Sequence, residues 1–339
     1  MKSKMGKGFL LFLSVLMLMA SGGTADAMRF DVGKDTAVDC DVTVVYGAGF
    51  RVKKPESAKL GEYNPAAINS DDGNENFDQW DMINNRFSTI ADIDVKHKNF
   101  GVFLRPRAFY DFVYMGKNSN DSPATNNNFQ AGVIDSTDDF DEETEDAIGK
   151  KAEILDLFAY AQLELVGRKL DLRVGRQVIQ WGESLYLQGG IASAMAHQDA
   201  SLSTAPGVEI KEMLLPSEAV SMQMDITENV SVGSFYQWKW EKLRYYESGS
   251  YFSTTDFLDE AGYLILGRGL TRGTDDEASD SGQFGVSLMY LAEWLNNTEF
   301  GIYYINYHEK SPAVAYGPNK TYYLTFNAVS LRNLNALIL

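Results

Sequence analysis

Apolar and polar side chains alternate along ten separate stretches of this chain, and a period of two dictates strands with one apolar and one polar face. The clearest stretch places Val38, Cys40, Val42, Val44, Tyr46, Ala48, Phe50 and Val52 on one side. Asp39, Asp41, Thr43, Val45, Gly47, Gly49, Arg51 and Lys53 fall on the other. A chain built from such units folds as an all-β antiparallel structure whose apolar face must be buried in something.

The same pattern recurs around Phe87–Val95, Val102–Tyr114, Leu155–Leu165 and Leu170–Val174. It continues at Val220–Ile226, Val232–Trp240, Phe284–Tyr290, Phe300–Tyr304 and Tyr322–Phe326. Connectors between these stretches alternate in length. Those at 97–99, 166–169, 228–229 and 293–297 are short, whereas those at 54–86, 115–153, 181–219 and 241–283 are long and polar. Short turns at one end and long loops at the other are the pattern of an up-and-down transmembrane β-barrel. The first connector is long, which predicts a periplasmic N-terminus and extracellular long loops. Aromatic groups near strand ends (Tyr110, Phe112, Tyr114; Tyr236, Trp238, Trp240; Tyr303, Tyr304, Tyr307) fit interfacial girdles.

The N-terminus agrees with export. Lys2, Lys4 and Lys7 precede an apolar run over 9–20, and Ala25-Asp26-Ala27 forms an A-x-A cleavage site. Residues 1–27 are therefore read as a cleaved signal peptide, and 28–339 as an outer-membrane barrel domain of a Gram-negative bacterium. A net charge of −17 argues against nucleic acid and for divalent cations or basic groups as electrostatic partners. The single cysteine, Cys40, excludes an internal disulfide. A soluble sandwich is the competing architecture, but its strands are shorter and need a core between two sheets. Alternation fades over 329–339, where Asn333 and Asn335 fall on the apolar row. A barrel in lipid must close, so about ten strands with this ending predict an incomplete barrel, truncated at its C-terminus, with closure at ten strands under very large loops as the alternative.

Several strings carry a family resemblance. They include Asn69-Ser70-Asp71-Asp72-Gly73-Asn74-Glu75-Asn76-Phe77, Phe109-Tyr110-Asp111-Phe112, and Arg173-Val174-Gly175-Arg176-Gln177 running into Trp181-Gly182-Glu183-Ser184. Pro206-Gly207, and Tyr251-Phe252-Ser253-Thr254-Thr255-Asp256, complete the set. Together they resemble the bacterial outer-membrane family of domain of unknown function 1302, over about Asp35 to Gly262. The resemblance implies an outer-membrane channel or transporter for hydrophobic or lipid-like compounds. It also implies outer-membrane lipid as surroundings, with a resistance-nodulation-type inner-membrane exporter and a periplasmic protein as partners. Family members are longer than this chain, and they supply no catalytic residues. The stretch 195–205 departs from the Asn-Pro-rich pattern usual there.

Charged residues on the polar face cannot meet lipid, where an Arg costs roughly 2–4 kcal/mol at midplane. Arg105, Arg107, Asp111, Arg173, Arg176 and Glu183 are thus candidates for the lumen or its constriction. Structural pairing with Asp111, Asp156, Glu164 or Glu183 is favoured over substrate selection. Met213-Leu214-Leu215-Pro216 fits either a lumenal constriction or a rim contact. Asp71, Asp72, Asn74, Asn76 and Asp78 offer oxygen ligands for a cation, but Phe77 and Ile83 break an EF-hand, and an Asx-rich turn network is favoured. The acidic run 135–146 reads as a solvated loop. His197 shares one loop with Ser193, Asp199 and Ser201, without a nucleophile elbow. No enzyme and no cofactor is expected, and the runner-up function is a non-conducting structural or surface-interaction barrel.

Overall fold

The computed structural model describes residues 28–181, 191, 195–326 and 332–338. Eleven strands form one continuous antiparallel sheet, in which neighbours along the chain are neighbours in space. Numbered within this sheet, they are β1 (Met28–Asp31), β2 (Thr36–Phe50), β3 (Met82–His97), β4 (Phe100–Asp111), β5 (Lys150–Leu165) and β6 (Arg168–Gln177). The series continues with β7 (Ser217–Asp225), β8 (Val230–Gln237), β9 (Gln283–Ala292), β10 (Thr298–Tyr307) and β11 (Arg332–Ile338). Among the described residues the edge strands β1 and β11 do not pair with each other, so the sheet is a meander and not a closed ring.

Turn chemistry explains the short connections. Val166 and Gly167 both adopt positive φ, 53° and 72°, as a two-residue turn matched to strand twist requires. Asn296 and Asn297 do the same between β9 and β10, at 53° and 57°. The long connectors 51–81, 112–149, 178–216 and 238–282 leave from the opposite end, alternating with the short ones.

The sheet is inverted relative to a soluble protein. Its outer face is apolar yet uncovered: Val44 is 55 % exposed, Val174 52 %, Val286 47 % and Ile302 55 %. Its inner face holds the charges, with Arg107 and Asp111 only 2 % and 1 % exposed. No second sheet covers the apolar side among the described residues, so a sandwich is not what forms.

Three expectations are corrected. Leu155 leaves the outer row, because β5 carries one extra residue against β4 between the pairs Leu104↔Leu157 and Pro106↔Ile154. That bulge reverses the alternation; Ile154 and Leu157 point out, while Leu155 packs inside with Ile90 and Leu215. Tyr322–Phe326 is not part of the wall. Thr321–Thr325 joins Leu264–Ile265, Leu270–Arg272 and Ala313–Gly317 in a separate four-stranded sheet. Tyr322, Leu324 and Phe326 are buried there, the last two beside Trp240. The wall strand after β10 is instead the stretch whose alternation fades, Arg332–Ile338, held by backbone pairing along Gly301–Tyr307. Finally, not every terminal aromatic forms a girdle. Tyr114 and Trp240 are buried in loop clusters, and Tyr303 packs inward with Ile305 and Phe235 against Ile179 and Met195.

Candidate functional site

The long connectors fold over the inner face and pair with its charges. Arg105 on β4 holds Asp92 of β3 through two bonds, Nε to Oδ1 at 2.6 Å and Nη2 to Oδ2 at 3.1 Å. Its third bond, 3.1 Å long, reaches Asp156 of β5. Two residues along, Arg107 donates to Glu153 of β5 and, at 3.0 Å, to the Glu212 carbonyl of the third long connector. Arg244 of the fourth connector meets the same Glu153 at 3.0 Å, and both arginines lie 3.6 Å from Asp199. Two cations and two carboxylates thus lock strands β4 and β5 to two loops.

Arg176 joins a related network. Gly175, at φ 129°, breaks the regular strand, and a Cβ there would stand 2.4 Å from the Leu157 carbonyl oxygen. Only glycine fits such a place. Beyond it, Arg176 bonds Glu241 at 2.5 and 3.1 Å, while His197 Nε2 lies 3.0 Å from the same carboxylate. Arg176 and His197 together hold the Glu241 carboxyl far below the usual carboxylate range despite its burial. Burial instead lowers the His197 pKa. Ser201, four residues on, donates to Asp199 and not to His197. Asp111 accepts from Asn84 Nδ2 at 2.6 Å and Asn85 N at 2.9 Å. Glu183 and Ser193 lie outside the described residues. Pairing partners Glu153, Asp199 and Glu241 were missed by sequence reasoning, and Glu153 stands beside the bulge that no alternation count reveals.

Arg173 is different. It enters no ion pair among the described residues and stands over the Phe158 ring, 5.5 Å from its centroid. Phe158 stacks on Phe103 at 5.3 Å, and the Tyr160 hydroxyl donates to Asp94 at 2.9 Å. With Lys96, these residues line a cavity of about 280 Å³ on the inner face, toward the short-turn end. The cavity thus sets aromatic rings beside charges of both signs, Arg173 and Lys96 against Asp94 and Asp171.

The oxygen-rich first connector divides. Asn74 gives its carbonyl and Oδ1 to Arg51 at 2.8 and 3.2 Å; Asn76 bonds the Gly249 carbonyl at 2.8 Å and Asn120 at 2.9 Å; Asp78 is exposed. Asp71 and Asp72 are buried, and Asp256 of the fourth connector joins them. Asp256 Oδ2 accepts from Asp71 N at 2.8 Å, and Asp72 accepts from Asn127 N at 3.1 Å. Burial, reinforced by Asp71, pushes the Asp256 carboxyl up to about 8. Burial and the neighbouring Asp256 and Asp71 raise Asp72 as well. Burial, then Asp71, also lifts Glu75 to about 6.

The acidic run is more ordered than a bare solvated loop. Phe140 is buried against Phe77 and Tyr114, and the Asp141 carboxylate caps the short helix Glu142–Thr144 through Glu143 N and Thr144 N.

A family model described as Protein of unknown function (DUF1302) matches residues 8–336, so the chain belongs to that family. No curated protein and no solved structure matches it.

Proposed function

We propose that this member of the DUF1302 family is an outer-membrane β-barrel channel or transporter for hydrophobic or lipid-like compounds, exported to the surface behind the signal peptide 1–27. Its partners are an inner-membrane exporter of the resistance-nodulation type and a periplasmic protein, as the family resemblance implies. One observation carries the membrane reading: the wall exposes valine, leucine and isoleucine while ionic networks lie buried on its other face. In water that arrangement forfeits about 25 cal/mol for every Å² of apolar surface left uncovered; in lipid it is the stable one. The Arg173–Phe158–Phe103 cavity supports an amphipathic cargo.

A second reading is favoured by the way Leu215 and the Arg107–Glu153–Arg244 network fix two loops onto the inner face. On that reading the barrel is non-conducting and serves structure or surface contacts. Full-length protein in planar bilayers and in dye-loaded liposomes separates the two. Conductance or solute flux is the expected result; absence of both discards transport.

A further inference from the structure

Three carboxylates converge where no cation answers them. One carboxylate oxygen from each of Asp71, Asp72 and Asp256 lies within 4.8 Å of those of the other two. The residues are 0 %, 2 % and 0 % exposed. Every donor they receive is neutral: Gly61 N to Asp71 Oδ2 at 2.8 Å, the Thr125 hydroxyl to Asp71, Asp71 N and Asp72 N to Asp256 Oδ2 at 2.8 and 3.4 Å, and Asn127 N to Asp72. No lysine or arginine among the described residues forms an ion pair with any of the three.

A separate observation points to a ligand. Asp71 Oδ1 and Asp256 Oδ1 are buried oxygens with no hydrogen-bond partner, and Asn127 Oδ1, in a residue 0 % exposed whose own N–H holds Asp72, is another. A buried acceptor left without a donor costs about 1–3 kcal/mol, more when charged. Three such acceptors in one small region are explained at once by a bound cation.

We propose that Asp71, Asp72 and Asp256 form a divalent-cation site of calcium type that ties the first and fourth long connectors together. Oxygen-only donors select a hard ion over a transition metal. Calcium, at about 2.3–2.6 Å from each ligand, spans oxygens up to about 5 Å apart and so accommodates the whole range of separations these carboxylates allow. Gly73 makes the approach of the two loops feasible, since a Cβ there would stand 2.2 Å from the Ser250 carbonyl oxygen. Asp256 lies 185 residues from Asp71, which is why no local motif announces the set.

Equilibrium dialysis of the detergent-solubilised full chain against calcium, with limited proteolysis of the loops in calcium and in chelator, tests the site. The expected result is one calcium per chain and about tenfold faster loop cleavage after chelation, the size of a 1.4 kcal/mol change. Asp256→Asn should lose the calcium and the chelator response while cleaving no faster than the wild type in chelator. No calcium bound up to about 1 mM, the weak end for extracellular modules, with cleavage indifferent to chelator, overturns the site. Both wild-type readings hold even if the variant fails to fold, and neither depends on transport.

Discussion

The Arg107 network joins the wall to the loops, the Asp71–Asp72–Asp256 cluster joins loop to loop, and their charges are arranged in opposite ways. In the Arg105 and Arg107 networks each carboxylate faces a guanidinium: Glu153 and Asp199 sit between Arg107 and Arg244, and Asp92 and Asp156 flank Arg105. In the loops carboxylates face carboxylates. The first arrangement balances its charges within the chain, although Arg107 Nε has no hydrogen-bond partner. The second needs protons or an ion from outside, so solution conditions should act on the loops and leave the wall unmoved.

The largest effect is expected where a balanced network is broken. Arg107→Met leaves Glu153 and Asp199 buried with one guanidinium between them, and removal of one partner from a buried pair costs about 3–5 kcal/mol. Urea titration of the protein in detergent should show that loss, and adding Glu153→Gln should return part of it. Equal stability of Arg107→Met and wild type would mean the pairing is not structural.

Next comes Gly175→Ala, which puts a Cβ against the Leu157 carbonyl oxygen at a φ of 129°. The same titration should register about 1–3 kcal/mol. Smaller, and confined to the loops, is a pH effect. With Asp256 raised to about 8 from its ordinary 3.8, the folded state holds a proton that the unfolded state has lost. The resulting stability is complete below pH 3.8 and disappears as pH rises through about 8. In chelator, loop protease resistance should therefore fall from acid to mildly alkaline pH; in calcium the fall should be absent. A fall of the same size in both would remove the contrast between loops and wall.

The smallest effect on stability belongs to Arg173→Ala, which breaks no ion pair and should stay within about 0.5 kcal/mol. Affinity for a fluorescent fatty acid should nevertheless drop about tenfold, the loss of one charge-assisted hydrogen bond of about 1.5 kcal/mol. Unchanged affinity would leave the cavity without a role in binding.

Strand-level alternation was legible because faces of a sheet report a local period. Nine of the ten stretches lie in the wall for that reason. Tyr322–Phe326 misled because Tyr322, Leu324 and Phe326 alternate equally well when buried by loop residues such as Trp240 and Ala278. Leu155 misled because a bulge is a property of a strand pair, visible only in the register with β4. Of the site, Arg105 with Asp156 could be read from polar-face arithmetic. Asp199 with Arg107, and Asp256 with Asp71, could not, since long-range loop docking leaves no periodic trace.

Spin labels on adjacent residues of β10 show whether the exposed apolar face is the one that meets the membrane. In a Cys40→Ser background, cysteine is placed at Ile302, 55 % exposed, and at Tyr303, 4 % exposed on the inner face. In lipid vesicles the label at Ile302 should collide with oxygen and be shielded from a water-soluble nickel chelate, while the label at Tyr303 should show neither preference. A label at Ile302 that meets the nickel chelate as freely as an exposed loop label would mean that this face lies in water.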